Sequence, residues 1–323
     1  MANVLITGVN GTIGSQVARF LLSQGHRILG LDDSAPPLPG LSGAAPFTAL
    51  VWDITRAGGA PPEAAEADVL IHCAALVHKR SKDLSRDHYF EVNVQGTKNV
   101  LSALDVRRVR QVVFLSTVSV YGGLSQTMVP NEETPPAPED FYGESKLAAE
   151  GEIRTFGERG RVPYTIFRLA PVYGRDFLLN IEKRIYVPRK VAFYQISGGR
   201  QKMSLCSMGN VVKAVAESLS GPGFRNQTFI VKDAKDYAVK DIISAFKSYF
   251  GQQARPVIPI PLRLPELVFG CFGLIRPQTG KFFKYQLKKI ARDSIYSGKK
   301  IHSLGIPLTE GLKETYSRVY DDA

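Results

Sequence analysis

The chain opens with a short apolar run, Val4-Leu5-Ile6, followed at once by Thr7-Gly8-Val9-Asn10-Gly11-Thr12-Ile13-Gly14. Apolar residues then fall at Val17, Phe20, Leu21 and Leu22, the spacing of an amphipathic helix, and Gly25 ends it. A second run, Arg27 to Leu31, finishes on Asp32. Strand-like runs recur at Phe47–Trp52, Val69–Cys73, Val112–Ser116 and Tyr164–Leu169, with helical patterns between them. Nearly continuous apolar strands separated by helices predict an α/β fold, a doubly wound parallel sheet with helices on both faces. Three stretches rich in proline or glycine, Asp33 to Gly40, Ala57 to Pro62 and Val129 to Pro138, read as surface loops. The last leads into Phe141-Tyr142 and borders the expected cleft. Beyond about Gly174 the elements shorten: a strand near Phe193–Ile196, a helix from Met208 to Leu219, a strand at Thr228–Val231 and a helix from Val239 to Phe250. Gly251 closes that helix, and Pro256, Pro259, Pro261 and Pro265 punctuate an extended crossing.

The glycines carry the first chemistry. Gly8, Gly11 and Gly14 let a strand turn sharply, let backbone approach a pyrophosphate, and let the next helix pack closely with its free N–H groups aimed at phosphate. Asp32 stands eighteen residues beyond Gly14, where a dinucleotide fold puts the carboxylate that takes the ribose hydroxyls. Residues 1–174 therefore read as a Rossmann-type dinucleotide-binding unit. Residues 175–323 read mainly as a smaller, interleaved substrate lobe with some segments returning to the sheet. Asp32 repels a 2′-phosphate, and Asp33 and Ser34 supply no arginine to accept one, so the expected cofactor is NAD rather than NADP.

Tyr142-Gly143-Glu144-Ser145-Lys146 puts a phenol and an ammonium four residues apart, on one face at the start of a helix. A nearby cation favours the phenolate, which brings Tyr142 toward the range of a general acid/base. The strand end Phe114-Leu115-Ser116-Thr117-Val118-Ser119 adds hydroxyls at the carboxyl edge of the sheet, where Thr117 or Ser116 is placed to hydrogen-bond a reacting oxygen.

Composition narrows the setting. Hydrophobic residues make up 44% of the 323 and charged residues 22%, an ordinary globular balance. No apolar stretch reaches membrane-spanning length, and the first strand begins at the N-terminus with no room for a leader, so the expectation is a cytoplasmic protein. Cys73, Cys206 and Cys271 lie far apart without metal-ligand spacing, which argues against a disulfide framework and against a metal. Lys and Arg number 41 against 30 Asp and Glu, a net charge of +11 that favours anionic partners. Eight basic residues and one acid, Asp293, lie from Arg276 to Lys300. Leu264–Ile275 is apolar, and Lys281–Ile290 mixes cations with aromatics, a pattern for peripheral membrane contact or for a lobe-covering helix with solvated lysines. Nothing else points to nucleic acid.

These pieces together resemble the extended short-chain dehydrogenases/reductases of the NAD-dependent epimerase/dehydratase family, the group of the UDP-sugar 4-epimerases. The likeness runs through Thr7–Gly14, Asp32, Asp53-Ile54, His72-Cys73-Ala74-Ala75, Asn93-Val94-Gln95-Gly96-Thr97, Ser116-Thr117, Tyr142–Lys146 and Arg168 to Gly174. It is strong from Ala2 to Gly174 and fainter beyond. The resemblance implies a catalytic hydroxyl at Thr117, an acid/base at Tyr142, and a Lys146 that holds the ribose and lowers the Tyr142 pKa. It places Gly8, Gly11, Thr12, Ile13, Gly14, Asp32, Asp33 and Ser116 about the cofactor, Asp53 and Ile54 at its adenine, and Ala74, Ala75 and Asn93 at its border or as braces of the active helix. It also implies a homodimer and a sugar-nucleotide substrate, with Asn180 among the substrate contacts.

Two departures refine the expectation. The family's 4,6-dehydratases carry Thr-Asp-Glu where this chain has Thr117-Val118-Ser119, which argues against water elimination and leaves hydride transfer at a sugar carbon. Relatives hold the diphosphate with an arginine where this chain has Met203, so Arg200 or Lys202 is the substitute, and the carrier is either UDP or a polyprenyl diphosphate. The leading expectation is a 4-epimerase of a UDP-hexose or UDP-N-acetylhexosamine. Its rivals are a 4-ketosugar reductase of surface-polysaccharide synthesis, a hydroxysteroid-type dehydrogenase, and a non-catalytic NAD-binding module.

Overall fold

The structure, a computed structural model, describes residues 1–34, 46–77, 85–175, 181–261 and 291–317. Seven parallel strands form one sheet. They are β1 (Asn3–Thr7), β2 (Arg27–Asp32), β3 (Phe47–Val51), β4 (Val69–His72), β5 (Gln111–Thr117), β6 (Tyr164–Leu169) and a strand from the C-terminal half, Gln227–Val231. The spatial order is Gln227–Val231, β6, β5, β4, β1, β2, β3. The order reverses at β1, so the crevice above it receives the glycine turn, as doubly wound sheets require of a ligand site.

Alternation along the strands divides the core between the two faces. Val4 and Ile6 of β1 join Val113, Phe167 and Phe229 beneath α1 (Thr12–Ser23) and the helix Met208–Ser218. Leu5 joins Leu29, Leu70, Val112, Phe114 and Ile166 on the other face, beneath the long helix Phe141–Gly160. Both faces are covered, which is why these strands read as unbroken apolar runs. A separate cluster gathers Tyr173, Ile185, Phe193, Met203, Ile242, Phe246 and Tyr316. There the chain uses two- to four-residue pairings, Phe193–Ile196 with Val257–Ile260 and Lys202–Ser204 with Asp236–Ala238.

A buried polar thread crosses the sheet toward the cleft. The helix after β4 runs as α2 (Arg86–Phe90), a π-helical segment Glu91–Gln95 and α3 (Gly96–Ser102). The Thr97 hydroxyl donates to the Asn93 carbonyl at 2.6 Å, so it accepts from His72 Nε2–H at 2.9 Å. That leaves His72 Nδ1 to accept from the Thr7 hydroxyl at 2.6 Å. Burial, with the charge of Lys146 beyond it, pushes His72 down to about 3. The imidazole is therefore neutral in the folded protein.

Unfolded His72 binds a proton near 6.5 and folded His72 only near 3, so stability is full above 6.5 and falls as pH drops between these values, by up to about 5 kcal/mol in all. Thermal melts from pH 7 to 4 should show a steep acid decline in the native chain and a shallower one in His72→Gln; parallel curves would remove His72 from the account.

Candidate active site

Gly8 adopts φ +67°, and a Cβ there would lie 2.8 Å from the backbone of Ala74. A Cβ on Gly14 would run into the Gly8 carbonyl oxygen. The turn is thus a bare backbone cradle, with Gly11 capping α1 without a side-chain hydrogen bond and no acidic residue in the helix's first turn. The first-turn amides of Thr12 and Ile13 are uncapped by any side chain, so a phosphate fits this end. Asp32 closes β2 next to it. Its carboxylate accepts Asn10 N–H at 2.8 Å and Asp33 N–H at 2.9 Å, and net burial raises its pKa against these bonds. Asp33 in turn accepts the Ser34 hydroxyl. The residues present fit a dinucleotide: a cradle that any side chain would fill, followed by a fixed carboxylate.

The neighbouring positions divide. Asp53 binds its own turn through the Thr55 amide and hydroxyl, which lower its pKa, and faces Arg56 at 3.3 Å. Ile54 is buried, and its carbonyl accepts from Asn99. Ala74 and Ala75 are half-buried beside the glycine turn, Ala74 N–H donating to Thr7. Asn93 acts as a brace: its side chain bonds both the N–H and the C=O of Leu76, at 2.7 and 3.1 Å, and donates to Ser145 at 2.9 Å. Ser145 donates onward to the Tyr142 carbonyl. The π-helical segment aims Asn93 at both partners, so the loop beside the cradle and the first turn of the helix that carries Tyr142 are tied together.

That helix, Phe141–Gly160, begins on Asp140, whose side chain accepts Gly143 N–H at 2.8 Å. Gly143 permits the close seat, since a Cβ there would stand 2.6 Å from the Ser119 carbonyl. Tyr142 hydrogen-bonds Thr117 across this junction. Burial holds the phenol well above its ordinary value, the Thr117 bond opposes this, and Asp140 and Tyr89 reinforce it. Tyr89 of α2 packs its ring 6.4 Å from that of Tyr142. The Lys146 ammonium sits 3.9 Å from the centroid of Phe114, and burial pushes it down to about 7 despite Glu150 and Cys73.

Strand parity decides between the two hydroxyls. Thr117 meets Tyr142, whereas Ser116 is buried on the opposite face and donates to Glu150 at 2.7 Å. Glu150 is fully buried and also accepts from Arg168 at 2.9 and 2.7 Å and from Arg154 at 2.9 Å. Arg168 reaches Tyr121 as well. Sequence reading passed over Glu150, although Tyr142, Lys146 and Glu150 recur at four-residue steps along one helical face.

In the second lobe Arg200 and Lys202 are both exposed, and Met203 is buried in the lobe's apolar cluster. Lys202 uses its backbone to pair with Asp293 and Ser294. Arg184 is a desolvated cation of this lobe and feels Tyr296 and Tyr194; Tyr296 also packs on Tyr121. Asn180, the loop from 35 to 45 and the basic run from 276 to 290 lie outside the described residues. Among the described residues no helix is long and apolar enough to cross a membrane, and no cluster of His, Cys, Asp and Glu is arranged to hold a metal.

Comparison with known proteins agrees with this geometry. The N-acetyl-α-D-glucosaminyl-diphospho-ditrans,octacis-undecaprenol 4-epimerase of Escherichia coli O157:H7 is 26% identical over 97% of this chain and 94% of its own. The human dTDP-D-glucose 4,6-dehydratase is 32% identical over 78% of this chain and 69% of its own. Among solved structures, a short-chain dehydrogenase/reductase superfamily protein from Agrobacterium tumefaciens with bound NAD superimposes with a TM-score of 0.75 over 98% of this chain and 95% of its own, at 19% identity. The sequence profile of the NAD dependent epimerase/dehydratase family matches residues 4–222, and the chain belongs to that family.

Proposed function

We propose that this protein is an NAD-dependent 4-epimerase of a sugar carried on a diphosphate, a UDP-hexose or UDP-N-acetylhexosamine. The observation that carries the reading is the meeting of Thr117 and Tyr142 at the carboxyl edge of the sheet, on the same crevice as the glycine cradle and Asp32. In this reading the α1 amides hold the pyrophosphate, Asp32 the adenosine ribose, and Lys146 the ribose next to the nicotinamide. When bound, NAD supplies a hydride acceptor that gives the hydride back, and a positive ring charge beside the phenol.

Thr117 holds the C4 oxygen while Tyr142 takes its proton, and hydride leaves the same carbon. The 4-keto sugar then turns over in the lobe, hydride returns to its other face, and Tyr142 restores the proton. The phenol's raised pKa favours its protonated form, so deprotonation is drawn out by charge placed near it rather than by the resting site. Val118 supports epimerisation over 4,6-dehydration: it is buried with Val120, Tyr121 and Ile230, and neither it nor Ser119 offers a carboxyl for water elimination.

One observation favours a second carrier. The relative that spans nearly the whole chain acts, by its name, on an undecaprenol-linked sugar, which supports a polyprenyl diphosphate in place of UDP. Incubation without added cofactor separates the carriers. Galacto epimers of UDP-glucose or UDP-N-acetylglucosamine support UDP, epimers of polyprenyl-diphospho-N-acetylglucosamine alone support lipid, and loss of water from any product supports a dehydratase instead. With the true substrate, Tyr142→Phe should lose about 10²–10⁴-fold in turnover; near-native turnover would overturn the assignment. Titration of the cofactor-stripped protein should give at least about tenfold tighter binding of NAD than of NADP, because Asp32 meets the 2′-phosphate, and equal affinities would refute that role.

A further inference from the structure

Lys146 is 2% exposed, yet its ammonium faces few opposite charges. From its own helix it feels Glu150, and from the loop after β4 the Cys73 thiol. His72, from β4, is held neutral. Glu150 is already shared, since Arg168 and Arg154 both bond its carboxylate. The ammonium sits over the ring of Phe114, 3.9 Å from the centroid. Phe114 is itself fully buried, with the His72 imidazole against it at 5.6 Å and 29° between planes. An aromatic face carries negative quadrupole density, and its attraction for a cation grows when both are desolvated. A leucine would fill the space without that attraction.

We propose that Phe114 is a positioning residue for the catalytic lysine: its ring face seats the Lys146 ammonium at the floor of the cleft and keeps it cationic. The seat is a property of the folded chain. Its consequence for turnover rests on the epimerase reading, in which a neutral Lys146 would neither offset the phenolate of Tyr142 nor hold a ribose with full donor strength. Aromatic character, rather than volume, is what position 114 supplies.

The test uses the full chain without cofactor or substrate, with lysine labelled at ¹³Cε and followed by NMR across pH. The Lys146 resonance is identified by its loss in Lys146→Arg, and its midpoint is expected near 7. Replacing Phe114 by mono-, di- and trifluorophenylalanine drains the ring face with little change of shape. The midpoint should fall stepwise, by about one pH unit across the series. Phe114→Leu should fall as far, and Phe114→Tyr should stay with the native chain. A midpoint unmoved through the fluorinated series would overturn the proposal and leave Phe114 a packing residue. Absence of epimerisation would leave this titration intact, so the two readings fail separately.

Discussion

The site depends on one buried carboxylate. Glu150 has no exposed surface, and its two oxygens accept from Ser116 on β5, from both sides of the Arg168 guanidinium on β6, and from Arg154 on its own helix. Burial acts to raise its pKa, and Arg168, Ser116 and Arg154 together hold it below the usual range. A carboxylate with this many charged donors stays ionised, and removal of one partner from such a pair costs about 3–5 kcal/mol. The bonds fix the helix Phe141–Gly160 against two strands in both rotation and register. About one turn and two turns back toward its N-terminus, the same face presents Lys146 and then Tyr142.

The other end of that helix is fixed by backbone approach. Asp140 caps it, Gly143 lets it close on the Ser119 carbonyl, and Asn93 ties its first turn to the loop after β4. The glycine cradle and the Tyr142 helix belong to different parts of the chain, yet Thr7, His72, Thr97, Asn93 and Ser145 link them through unbroken hydrogen bonds. A crevice held from both sides in this way needs little reorganisation to receive a ligand.

Much of this was legible in the chain. The strand read at Phe47–Trp52 is found at Phe47–Val51, and the helix read at Met208–Leu219 is found at Met208–Ser218. Parallel strands buried on both faces leave few other ways to place so many apolar residues. The glycine turn was legible because its side-chain-free geometry has a sequence cost. Four things were not. The choice between Ser116 and Thr117 needs strand parity against a helix 25 residues and more away. The π-helical segment at Glu91–Gln95 has no period of its own that a short window reveals. Glu150 looks like any polar residue until Arg168 is brought beneath it by the β5–β6 register. Short pairings such as Lys202–Ser204 with Asp236–Ala238 carry too few residues to show alternation.

The proposed epimerisation moves one hydride out of a carbon and back to it, and isotope retention reads that transfer directly. Substrate bearing deuterium at C4 would be turned over by the purified protein in ordinary water with no added cofactor. The expected product is a C4 epimer that keeps the deuterium at C4, with none in solvent and none accumulating in free cofactor. Deuterium lost to water would mean that C4 reacts by proton rather than hydride transfer, and would contradict the roles given to Tyr142 and Thr117.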